Sequence, residues 1–80
     1  MVIKSIQSNV QHSRVATLEL VNYIKCNSVD VAFVQEPYNY RTDNGSYVVP
    51  FLGDIRVVGV STKYFYSCIF VNNPSLEVLY

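Results

Sequence analysis

Two apolar runs separated by one helix-length amphipathic segment constrain this chain more than any other feature. Val2 to Ser8 alternates apolar and polar residues around Val2, Ile6 and Val10, with Ile3 out of phase. That alternation predicts a strand. Val29 to Val34 reads Val-Asp-Val-Ala-Phe-Val. A nearly continuous apolar run of this kind predicts a strand buried on both faces, as parallel strands are. Asp30 is expected near the strand's start, where water still reaches it. Pro37 ends the strand, because proline has no N–H to give to a ladder. Between the runs, Val15, Leu18, Val21 and Ile24 recur every three positions, with Glu19, Asn22 and Lys25 between them. The spacing predicts a helix over Arg14 to Cys26, N-capped by Ser13, with one buried stripe and one wet face. Asn27-Ser28 ends it. Strands joined through a helix are usually parallel, so their carboxyl ends share one edge of the sheet, where open α/β sheets place ligands.

The rest of the chain reads differently. Residues 39–46 are polar and contain the turn signal Asp43-Asn44-Gly45-Ser46. Ile55 to Val60, Tyr64 to Val71 and Leu76 to Tyr80 read as three short strands. Thr62-Lys63 and Asn72-Asn73-Pro74-Ser75 turn the chain between them, which predicts an antiparallel meander. The expected fold is α/β, a βαβ unit followed by that meander, in one domain over residues 1–80.

Composition narrows the function classes. Half the residues are hydrophobic and 15% are charged, which argues against disorder. The formal net charge is zero, so composition gives no support for a basic nucleic-acid surface. Cys26 and Cys68 lie far apart with no His/Cys cluster, which argues against zinc and reads as apolar thiols in a reducing compartment. No charged-then-apolar leader and no bilayer-length apolar run are visible. The chain is therefore expected to be intracellular, with no membrane partner. So much apolar surface in so short a length also predicts a sheet with uncovered surface, open to self-association.

Asn9 and Glu36 each follow a predicted strand and should meet at the shared edge. An amide oxygen and a carboxylate are hard ligands that can begin, but not complete, a magnesium site. Each also has a plainer use, Asn9 in a local turn and Glu36 as a solvated acid. His12 is the single histidine. It cannot build a metal site alone, no Ser–His–Asp arrangement is visible, and it is expected at the surface or in a cap. Arg14 opens the helix, where the dipole disfavours a cation. Its place there makes sense beside an acid or a phosphate; otherwise it is a solvated arginine. Of the seven tyrosines, Tyr38 and Tyr40 fall in the loop after Glu36. Either could stack on a base, though their spacing does not ask for it. Tyr64, Tyr66 and Tyr80 read as packing residues with wet hydroxyls.

Asn9-Val10-Gln11-His12-Ser13-Arg14-Val15-Ala16-Thr17, followed by Asp30-Val31-Ala32-Phe33-Val34-Gln35-Glu36-Pro37-Tyr38, resembles the opening of an endonuclease/exonuclease/phosphatase domain. Its nearest likeness is the apurinic-like endonuclease of non-long-terminal-repeat retrotransposons. Ile69-Phe70-Val71-Asn72-Asn73-Pro74 resembles the family's next strand and turn. The resemblance implies half of a four-layered α/β sandwich that nicks DNA through a divalent metal, magnesium. It implies Glu36 as metal ligand, Asn9 as a residue that binds or orients metal and scissile phosphate, and DNA contacts from Gln11, Arg14 and Tyr38. Family members prime reverse transcription from the nicked strand, which implies the nucleus for an active element. The family's later motifs, a catalytic Tyr, an Asp-x-Asn and a terminal Ser-Asp-His, do not occur in these residues. The expectation is an amino-terminal half, inactive alone. A small interaction module and a non-functional relic are the other readings.

Overall fold

The computed structural model describes residues 2–59 and 63–76. In chain order the elements are β1 (Ser5–Asn9), α1 (Arg14–Cys26), β2 (Val31–Gln35), β3 (Tyr40–Arg41), β4 (Tyr47–Val48), β5 (Arg56–Val58) and β6 (Ser67–Val71). The strand expected from Leu76 to Tyr80 lies outside the described residues beyond Leu76, as does Val60 at the end of the one expected from Ile55.

One four-stranded sheet runs in the order β1-β2-β6-β5, and β3 and β4 form a separate pair. The βαβ expectation holds: β1 and β2 are parallel, in a register that sets Asn9 beside Gln35. β5 and β6 are antiparallel, as a meander requires. β6 then lies against β2 as well, antiparallel, with Phe70 beside Ala32 and Cys68 beside Val34. The sheet is therefore mixed, and the chain is a small mixed α/β domain.

α1 has the predicted limits. Ser13 is extended (φ −75°, ψ 125°) and its hydroxyl accepts from the Ala16 N–H at 3.1 Å. At the other end the Asn27 N–H donates to the Tyr23 carbonyl. The buried face differs from the expected stripe. Thr17, Leu20, Val21 and Ile24 are buried, whereas Val15 is 63% exposed. A helix turns by about 100° per residue, so steps of three drift backward about 60° each. Between Val15 and Ile24 the drift reaches about half a turn. A stripe held to one face must alternate steps of three and four, which Thr17, Leu20/Val21 and Ile24 do.

α1 covers one face of the sheet. Leu20, Val21 and Ile24 join Ala32, Val34, Cys68 and Phe70 in a single apolar core, with Ile6 and Val57 packed against it. Burying side chains of this size stabilises by roughly 1.5–3 kcal/mol each. β2 is not buried on both faces, contrary to its apolar run. Ala32 and Val34 are buried, but Phe33 between them is 45% exposed. Successive strand side chains point to opposite faces, and α1 reaches only one. The other face carries a shallow concavity of about 480 Å³, bordered by Gln7, Asn9, Phe33, Gln35, Val58 and Ile69.

The polar stretch 39–46 holds more order than its composition implied. Tyr40 pairs with Val48 and Arg41 with Tyr47, so the turn signal sits at the tip of a two-stranded hairpin. Gly45 takes φ +87°, which a side chain would oppose, and its N–H donates to the Thr42 carbonyl at 3.0 Å. At the opposite end of the sheet from Glu36, Asp30 is half-buried as expected. Its carboxylate accepts from the Lys4 N–H at 2.8 Å and from Asn73 Nδ2 at 3.1 Å. Among the described residues, no helix is long and apolar enough to cross a membrane.

Candidate functional site at the carboxyl edge of the parallel strands

The parallel register brings Asn9 and Glu36 to one edge. Asn9 stands beside Gln35, and the Val10 N–H donates to the Gln35 carbonyl at 3.1 Å, continuing the ladder by one step. Both strands then leave the sheet through left-handed backbone. Gln11 has φ +51°, His12 +56° and Glu36 +53°. Each such residue costs about 1–2 kcal/mol without glycine's freedom. Non-glycine residues held this way collect at sites where geometry matters more than local comfort.

Hydrogen bonds fix that geometry. The Gln11 N–H donates to Asn9 Oδ1 at 2.9 Å, the His12 N–H to the Glu36 carbonyl at 2.7 Å, and the Ser13 N–H to the Val10 carbonyl at 2.9 Å. The three loop amides are thus occupied and form no open anion cradle. Asn9 has the local turn bond its plainer reading called for, and its amide oxygen keeps a second lone pair. The Glu36 N–H donates to the Tyr66 carbonyl at 2.7 Å.

A third segment, Tyr64 to Tyr66, walls the site. The Tyr64 hydroxyl lies 2.7 Å from His12 Nδ1, and His12 Nε2 lies 3.4 Å from Glu36 Oε1. The His12 and Tyr64 rings are 5.2 Å apart, and Tyr64 meets Tyr47 and Tyr66 edge-on at 5.8 and 5.1 Å. Asn39, buried, accepts from the Phe65 N–H and donates to the Phe65 carbonyl, each at 3.1 Å. His12 is therefore not a plain surface or cap residue, and Tyr64 is not merely packing. Nothing local in the sequence signals either, because their partners lie 24 and 52 positions away from His12.

The other expected residues fare unevenly. Gln11 is at the site and exposed. Arg14 pairs with no acid among the described residues; its guanidinium sits 4.9 Å above the Phe51 ring. Tyr38 is half-buried, its N–H held by Thr17 Oγ1 at 3.0 Å, and its ring is 6.5 Å from that of Tyr40. The concavity on the open sheet face reaches Asn9 but not Glu36.

The donor set at this edge is one carboxylate and one amide oxygen. That set fits a hard divalent cation in kind, since such ions keep several waters and often take one or two protein carboxylates plus substrate phosphate. It does not fit a fully protein-built cage: among the described residues, no three His, Cys, Asp or Glu side chains gather. Cys68, on β6, is no nucleophile at neutral pH, because burial pushes its thiol from 9.0 up to about 12. No family model matches the chain, and neither a curated protein nor a solved structure matches it.

Proposed function

We propose that these residues form one half of a metal-dependent, DNA-nicking domain of the endonuclease/exonuclease/phosphatase type. The observation that supports the reading is the placement of Asn9 and Glu36 at the carboxyl ends of adjacent parallel strands, beside left-handed backbone at Gln11, His12 and Glu36. Glu36 would hold magnesium through its carboxylate, and Asn9 would offer its amide oxygen to the metal or orient the scissile phosphate. A magnesium ion held there supplies Lewis-acid stabilisation of charge on a phosphoryl oxygen. Gln11, exposed beside Asn9, would contact the sugar–phosphate backbone, as would Arg14 from the start of α1 and Tyr38 from the loop after Glu36. General acid–base groups each contribute about 10²–10⁴-fold. Without a water-activating group and the remaining phosphate ligands, this half by itself has no useful turnover. The open sheet face would receive a second sheet and complete a four-layered sandwich.

The test is a magnesium chloride titration of the chain followed by amide NMR, with supercoiled plasmid as a parallel substrate. Shifts confined to the Asn9 and Glu36 edge, lost in Glu36→Gln, with no nicking by the chain alone, are expected. Absence of such shifts removes the metal half-site. Nicking by the chain alone, abolished by Glu36→Ala, removes the claim that it is inactive.

The open face also favours a second reading, an interaction module that buries Phe33 and its neighbours against a second copy. Its signature is a concentration-dependent mass in light scattering.

A further inference from the structure

Tyr64, His12 and Glu36 form a continuous chain of contacts that the expected activity does not use. The Tyr64 hydroxyl meets His12 Nδ1 at 2.7 Å, and His12 Nε2 faces Glu36 Oε1 at 3.4 Å. A carboxylate has acceptors only, so its approach to Nε2 at 3.4 Å favours the proton on that nitrogen. In that tautomer Nδ1 is an acceptor, and the Tyr64 hydroxyl 2.7 Å away can donate to it. The carboxylate favours this tautomer, and the Tyr64 hydroxyl, able to donate or accept, complements it.

The backbone holds the ring in place. The His12 N–H donates to the Glu36 carbonyl at 2.7 Å, so the two residues are tied through main chain as well as side chain. Both adopt left-handed φ, +56° and +53°. Tyr64 is held in turn by the next two residues. Phe65 is gripped by Asn39 at both of its backbone groups, and the Tyr66 carbonyl accepts from the Glu36 N–H. The segment that carries the hydroxyl is thus anchored to the loop that carries the carboxylate.

We infer that His12 is a positioning residue for Glu36, and that Tyr64 sets it by locking the Nε2–H tautomer. The imidazole faces one carboxylate oxygen, Oε1, at 3.4 Å. With no such partner, a glutamate with side-chain exposure of 40% would sample several rotamers. The value of the fixed orientation to a cation rests on the reading proposed above; the lock itself does not.

His12 is the single histidine, so its ring nitrogens can be assigned without ambiguity. Long-range proton–nitrogen NMR on the intact chain reads the tautomer, and side-chain scalar couplings read the Glu36 rotamer. Expected are a protonated Nε2, an unprotonated Nδ1 and one dominant Glu36 rotamer. Tyr64→Phe should redistribute the tautomers and average the couplings. His12→Ala should average them too, and His12→Gln, which keeps a terminal N–H donor, should restore them. If Glu36 binds magnesium, the affinity should fall about 10-fold or more in His12→Ala and recover in His12→Gln, as for partners of metal-ligating carboxylates. A protonated Nδ1 in the native chain, or a Tyr64→Phe variant with unchanged tautomer and couplings, overturns the lock. Expected tautomer and couplings with no magnesium response at Glu36 support the lock and remove the metal reading instead.

Discussion

Asn39 holds Phe65 by both of its backbone groups, accepting from the N–H and donating to the carbonyl at 3.1 Å each. The same amide also donates to the Pro37 carbonyl at 2.8 Å. One buried side chain thus takes the place of a strand pair between the loop after β2 and the segment before β6. Asn39→Ala should cost roughly 2–3 kcal/mol in urea denaturation, because it leaves buried groups of Phe65 unpaired. Asn39→Asp should cost as much or more, since a carboxylate cannot donate to either carbonyl. A cost under ~0.5 kcal/mol for both would mean that water or a shifted loop replaces the amide.

Glu36 is in left-handed backbone (φ +53°). Glycine takes that conformation freely but loses more entropy on folding, by roughly 0.5–1 kcal/mol. Glu36→Gly should therefore leave stability unchanged or raise it by up to about 1 kcal/mol. Any magnesium response at Asn9 should disappear. A clear loss of stability in thermal melting would place Glu36 among the residues that hold the fold together.

Thr17 lies on the buried face of α1 and is fully shielded, with its hydroxyl accepting from the Tyr38 N–H at 3.0 Å. Thr17→Val keeps the shape and removes the acceptor. A loss of about 1–2 kcal/mol is expected. Faster hydrogen exchange at the Tyr38 amide checks the cause, because a packing defect alone would not single out that amide.

Burial raises the Cys68 thiol from 9.0 to about 12. The unfolded chain releases this proton above pH 9, while the folded chain keeps it. The unfolded state then binds fewer protons, so stability falls as pH rises from 9 toward 12 and is unaffected by this group below 9. Cys68→Ala should be less stable at neutral pH from lost packing, yet show a shallower decline across that alkaline window. Thiol labelling should mark Cys26, which is exposed, at once and Cys68 only on unfolding.

Phe33 is 45% exposed on the sheet face away from α1. Phe33→Thr keeps a strand-forming residue and should change monomer stability by within about 0.5 kcal/mol. It should lower any concentration-dependent association seen by sedimentation. Unchanged association would move the contact to another surface.

Much of the local structure is readable residue by residue. Ser13 at the start of α1, the limits of that helix, the turn at Asp43 to Ser46 and the parallel placement of β1 and β2 follow from capping, periodicity and connection rules. Steps of three misplace Val15 because they ignore the helix's true pitch. The apolar run of β2 suggests two covered faces, but composition cannot say how many layers are present to cover them. The shared edge of Asn9 and Glu36 is legible because Asn9 ends, and Glu36 follows, the parallel strands of one βαβ unit.

Where the chain turns, where it coils and which strand ends lie together were set by the order of residues alone, because those depend on neighbours within a few positions or on a single short crossover. The placement of β6 against β2, which carries Tyr64 to His12 and Phe65 to Asn39, came only with the folded chain. Those pairings span 52 and 26 positions. Their energies come from burial and hydrogen bonding between groups that no local pattern links, so they exist only once the sheet has closed around the core.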